Sequence, residues 1–123
     1  MTKGEFYGKY KNSKRKESLL LRELNLILQR EMKSEVLKSI SVVETRLSTD
    51  NSHVKIFYQF IPIFEDLTIQ TIEEELENNL KEIRMILASK LDWRTVPELT
   101  FVYDTSLDRV NQIDKILKED KNK

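Results

Sequence analysis

The side chains in this sequence best equipped for chemistry are cations. Arg15, Arg22 and Lys33, with Lys11 before them, fall on one line of a helix turning about 100° per residue, and Arg30 flanks that line. A second group, Lys81, Arg84, Lys90 and Arg94, follows the pair Asn78-Asn79. Ammonium and guanidinium groups along a surface make charge-assisted hydrogen bonds to phosphate oxygens, and by themselves make or break no covalent bond. The pattern points to recognition of a polyanion or of an acidic protein.

Other chemistries lack their residues. The chain has no cysteine and one histidine, which removes thiolate metal sites, disulfides and the common nucleophile–base pairs. His53 stands at the edge of a polar turn without a carboxylate or cysteine cluster, a poor start for a ligand site. The glycines are Gly4 and Gly8, so no glycine-rich phosphate loop lies within a fold. Glu73, Glu74 and Glu75 cluster at a helix start, where the dipole accounts for them better than acid–base catalysis does. No enzyme, cofactor, metal or small-molecule substrate is expected.

Formal net charge is zero, but it is unevenly spread. Residues 1–38 hold ten Lys/Arg against five Asp/Glu; residues 39–123 hold eleven against sixteen. A basic surface on an acidic body follows. No apolar run approaches the roughly 20 residues that span a bilayer, and the N-terminus is polar and basic, unlike a secretory signal. A cytoplasmic monomer is expected. Two readings stand at this point: a general RNA-binding module, and an adaptor whose basic helix meets an acidic protein.

The elements that must hold these cations can be read in order. Residues 1–12 show no periodicity and read as a flexible basic arm, whose aromatics among Lys3, Lys9 and Lys11 suit base stacking. Residues 13–118 read as a single domain and 119–123 as a charged tail. A helix over 13–33, capped by Ser13, buries Leu20, Leu21, Leu24, Ile27 and Leu28; Leu19 and Leu26 lie close to the basic stripe. Strands over 39–47 and 53–61 flank the polar turn 48–52, an antiparallel hairpin. A long helix over 69–92 follows, with Thr71 and Glu74 as a capping box and a kink at Asn78–Lys81, its weakest stretch. Leu99, Phe101 and Tyr103 alternate with Thr100, Val102 and Asp104 in a strand that begins after Pro97, and Phe101 reads as a core residue. Leu107, Val110, Ile113 and Leu117 predict a short C-terminal amphipathic helix. The class is α+β: a three-stranded sheet with helices on one face, in the order α-β-β-α(kinked)-β.

The stretch V-P-E-L-x-F-x-Y-D-x-S-L, residues 96–107, resembles the strand signature of the ribosome-binding factor A family, small assembly factors of the bacterial small ribosomal subunit. Ile27-Leu28-Gln29-Arg30-Glu31 resembles the end of that family's first helix, and the resemblance extends over residues 13–107. It implies a KH-like fold of the second topology, in which a helix–kink–helix with an A-x-G pattern replaces the G-x-x-G loop. Asn79, Leu80 and Lys81 stand at that place, without the small residues. Arg84 and Arg94 match arginines of the family pattern. The resemblance further implies a non-catalytic factor that binds the immature small subunit, assists maturation of its rRNA near the 5′ end, and supports growth in the cold. Its partner would be the subunit and its rRNA. The two groups of cations read from spacing and charge, Lys11, Arg15, Arg22, Arg30 and Lys33 with Lys81, Arg84, Lys90 and Arg94, are then the candidate RNA contacts.

Overall fold

Apolar side chains recur every three or four residues from Leu20 to Leu28, and this stripe nucleates the core. In the computed structural model, which describes residues 3–105 with side chains from Ser13 onward, Leu20, Leu24, Ile27 and Leu28 are fully buried. Helix α1 spans Lys3–Leu26. It begins well before Ser13, which lies inside it and caps nothing. Lysine, arginine and glutamate between positions 9 and 17 favour helix, and no proline or glycine interrupts them there. Residues 3–12, read from sequence as an arm, thus have a helical backbone.

The helix does not run straight on to residue 33. Ile27–Glu31 forms a π-helical turn and Met32 is extended. Ile27 and Leu28 both lie in the core, and the wider turn breaks the phase of the α1 wheel. Ser34 then caps a short helix, α2, Glu35–Lys38, its hydroxyl accepting from Leu37 N at 3.3 Å. No sequence pattern announced that helix; one turn is too short to show a period.

Strands β1, Ile40–Leu47, and β2, His53–Phe60, pair antiparallel, with an irregularity between Val42 and Glu44. Asn51 at the turn takes φ 61°, a left-handed conformation that asparagine tolerates. Helix α3, Ile69–Lys90, crosses back, and β3, Glu98–Tyr103, joins β2 in parallel. A parallel pair needs such a crossover, and the strand order is β1-β2-β3. Val42, Val54, Ile56, Tyr58 and Leu99 are buried under the helices, while Ser41, Arg46, Lys55 and Thr100 are exposed on the other face. The α+β class and the three-stranded sheet are as the sequence predicts.

Two details of α3 differ from expectation. Its cap is Thr68, whose hydroxyl accepts from Thr71 N at 3.2 Å, so Thr71 is a first-turn residue and not the cap. The kink at Asn78–Lys81 does not interrupt the helix, which is continuous from Ile69 to Lys90. Asn79 satisfies its amide locally, donating to Glu75 O at 2.8 Å and to Glu75 Oε1 at 3.1 Å, and buried Leu76 and Ile83 hold both halves to one core. The C-terminal helix expected over 107–117 and the tail lie outside the described residues.

Candidate nucleic-acid interface

The period of α1 that buries Leu20 and Leu24 turns Arg15 and Arg22 outward. Both are exposed, and with Lys14, Ser18 and Leu19 they line one shallow groove. Leu19, close to the basic stripe on the wheel, is half-buried and packs against the core margin. Arg22 lies 3.5 Å from Glu23 Oε1, at the long limit of a hydrogen bond, and its side chain is 70% exposed. Such a contact in water holds little energy, so the guanidinium is available to a phosphate.

The other sequence-predicted cations are dispersed. Arg30 is exposed on the π turn and Lys33 on the coil after it; the change of phase takes both off the line of Arg15 and Arg22. Lys90 is engaged, its Nζ lying 3.3 Å from Glu31 Oε1 and joining α3 to the π turn. Lys81 and Arg84 line a different, mainly apolar groove between α3 and Val96, and Arg84 donates to Val96 O at 3.3 Å. Arg94 is exposed in the connection from α3 to β3. Lys11 belongs to the part of α1 whose side chains are not described. Lys81 and Arg84 thus line a groove separate from that of Arg15 and Arg22.

A contact absent from the sequence reading links two of the groups. Lys16 Nζ lies 5.4 Å from the centre of the Trp93 ring, within cation–π range. It ties the middle of α1 to the α3–β3 connection, with Arg15 next to Lys16 and Arg94 next to Trp93 in the chain. Only the presence of a lone tryptophan between two helical or strand signals could have hinted at this. On the opposite face of the sheet, the Arg46 guanidinium sits 5.5 Å from the Phe57 ring centre and 3.2 Å from Glu44, so that cation is already partnered.

The remaining polar cluster is structural. Asp50 Oδ1 accepts from the hydroxyls of Ser48 and Ser52, each at 2.7 Å, and from Ser52 N at 3.1 Å. These donors, Ser52 foremost, hold its carboxyl at about 2 against an ordinary 3.8. His53 bridges Ser52 Oγ at 2.8 Å and Glu98 Oε2 at 3.1 Å. All three side chains are exposed. Among the described residues no group of three or more His, Cys, Asp or Glu is placed to hold a metal ion. No helix among them is long and apolar enough to cross a membrane.

Comparison with known proteins gives this surface a context. A homologue from Phytoplasma mali is 39% identical over 105 residues, spanning 82% of this chain and 89% of that protein. One from Buchnera aphidicola is 37% identical over 99 residues, spanning 80% and 85%. Both are ribosome-binding factor A proteins. The fold matches the crystal structure of ribosome-binding factor A from Thermus thermophilus with a TM-score of 0.64 at 21% identity, over 74% of this chain and 94% of that one. It also matches, with a TM-score of 0.59 at 20% identity over 72% and 91%, a Thermus thermophilus homology model fitted into a cryo-EM map of a 30S complex of that factor. The family model for ribosome-binding factor A matches residues 12–117, nearly the whole sequence, and with it the chain belongs to the ribosome-binding factor A family.

Proposed function

We propose that this protein binds the immature small ribosomal subunit as a non-catalytic assembly factor and assists maturation of its rRNA near the 5′ end. Membership of a family named for ribosome binding supports the first part, as does the relative fitted into a map of a 30S complex. The role at the 5′ end, and in growth in the cold, rests on what the family resemblance implies. The observation within the chain that carries the reading is the uncovered stripe of Arg15 and Arg22 on α1. Cations so placed contact phosphates and displace condensed counterions, and they read shape and charge, not base sequence.

The contact surface we infer is centred on Arg15 and Arg22. Arg94 lies across the Lys16–Trp93 bridge, and Arg30 and Lys33 extend the surface past the π turn. Lys11 would prolong it along α1. Lys90 takes part by exchanging Glu31 for a phosphate, and Lys81 and Arg84 are peripheral to it. The protein would act as a monomer in the cytoplasm, with residues 13–118 as one binding unit.

Sedimentation of the protein with ribosomal particles through sucrose gradients tests the proposal. It should travel with free small subunits, not with large ones, and should leave them as salt is raised. Failure to associate with small subunits at low salt would refute it. Equal association with any structured RNA would instead favour the general RNA-binding module.

A further inference from the structure

The connection from β2 to α3 leaves its apolar side chains in water. Ile61, Pro62, Ile63 and Phe64 follow one another in the chain and all four are exposed, Ile61 to 67%, Ile63 to 42% and Phe64 to 51%. Single exposed apolar residues are ordinary, but four in a row on one loop mark a contact surface. The loop is anchored at both ends. Ile61 N donates to Ser39 O at 3.0 Å, Leu67 N donates to Phe64 O at 3.2 Å, and Leu67 packs against the core. The ring of Pro62 fixes its φ. A built turn thus presents the run, and little chain entropy is left to lose on binding.

We propose that residues 61–64 dock into an apolar pocket on a basic protein of the small ribosomal subunit, a contact separate from the phosphate-facing stripe of α1. The inference rests on the proposed binding to that subunit. Charge names the partner. Residues 61–77 hold six Asp/Glu and no Lys/Arg. Glu65, Asp66, Glu73 and Glu74 among them are exposed, and no ion pair among the described residues engages them. Such carboxylates repel a phosphate backbone and an anionic membrane alike. A second copy meeting through the same loop would set like carboxylates against each other. A pocket rimmed by Lys/Arg on a protein complements the apolar run and the acids together.

The fold leaves room for both contacts. Phe60, just before the loop, pairs with Ile40 at one end of β1. Glu17, two residues after Arg15, accepts from Leu47 N at the other end. From Ile40 to Leu47 the strand runs about 23 Å at roughly 3.3 Å per residue. The apolar loop and the Arg15 end of the stripe therefore lie at opposite ends of the hairpin, and phosphate held at one leaves the other open to a protein.

Purified small subunits and their protein-free rRNA are the two probes. Ile61→Ser/Phe64→Ser in the full chain should bind intact subunits about tenfold more weakly than the unaltered protein does. It should bind the protein-free rRNA equally well and keep the salt dependence, because it loses no phosphate contact. Undiminished binding to subunits would overturn the inference, and so would an equal loss on both probes, which would assign the loop to RNA. Failure of the unaltered protein to bind subunits at all would instead refute the proposed function, and this contact with it. A photoreactive benzophenone in place of the Phe64 ring gives an answer that does not depend on the double variant folding. On irradiation with purified subunits it should join a basic protein of the particle, identified by mass spectrometry. A link to rRNA or to a second copy, or no link while the protein is bound, would overturn the inference.

Discussion

The side-chain amide of Asn25 stands where a neighbouring strand would stand beside Val42. Its Nδ2 donates to Val42 O at 3.1 Å and its Oδ1 accepts from Val42 N at 2.8 Å. Glu17, two turns earlier on α1, does similar work further along β1. Its Oε1 accepts from Leu47 N at 3.1 Å and its carbonyl from the Thr45 hydroxyl at 2.6 Å. β1 is an edge strand, and helix α1 thereby occupies part of an edge open to pairing with other chains.

Asn25→Ala removes a donor and an acceptor at once and leaves both backbone groups of Val42 without those partners. It should destabilise the fold by about 1–3 kcal/mol, read from the urea midpoint. A midpoint equal to that of the unaltered protein would mean that other groups replace the amide without loss.

The core prediction is graded by burial. Ile56 is completely enclosed, so Ile56→Ala should cost about 2–5 kcal/mol. Phe101, which the strand pattern places in the core, is only half-buried on the edge strand beside the α3 groove. Phe101→Ala should cost less, about 1–3 kcal/mol, because part of its ring already meets water. Thermal melts of the two variants give the order directly.

For the proposed interface, Arg15→Ala/Arg22→Ala should leave the melting temperature unchanged, since exposed charges contribute little to stability. Subunit binding should weaken, and the slope of log affinity against log salt should fall by about 2, one for each lost phosphate contact. Glu65→Ala, at an exposed acidic position, is the control and should preserve the slope. An unaltered slope in the arginine variant would remove these residues from the interface.

Tyr58 gives the fold an alkaline limit. Burial, aided by the charges of Glu73 and Tyr103, pushes its hydroxyl from 10.0 to about 12. Below pH 10 both folded and unfolded chains keep the proton. Between pH 10 and 12 the unfolded chain releases it while the folded chain retains it, so stability falls as pH rises through that window. Urea midpoints at pH 9 and pH 11 should differ in that direction, and Tyr58→Phe should reduce the difference.

At the acid end, the serine hydroxyls around Asp50 can be tested singly. A carboxyl held at about 2 adds stability above the ordinary 3.8 and loses it as pH falls through about 2. The side-chain carbon resonance of Asp50 should titrate near 2 in the unaltered protein. In Ser52→Ala, which removes the leading donor, the midpoint should move up towards 3.8.

Much of this fold is written in local periods. The alternation of Val54, Ile56 and Tyr58 fixes β2, the Ser48–Ser52 run fixes its turn, and the spacing of Leu20, Leu24, Ile27 and Leu28 fixes the buried face of α1. That same spacing determines the outward line of Arg15 and Arg22, because one period sets both faces of a helix. The family signature at residues 96–107 was equally legible, since a strand and its flanking proline are local features. What depends on through-space contact was not. The π turn at Ile27–Glu31 and the extended Met32 depart from the α-helical period that relates Arg30 and Lys33 to the stripe. The parallel pairing of β3 with β2, the clamp of Asn25 on Val42 and the seat of Lys16 on Trp93 join residues far apart in the chain. No helical or strand period relates such partners, so tertiary packing decided which cations share a surface and which, like Lys90 and Arg84, are held elsewhere.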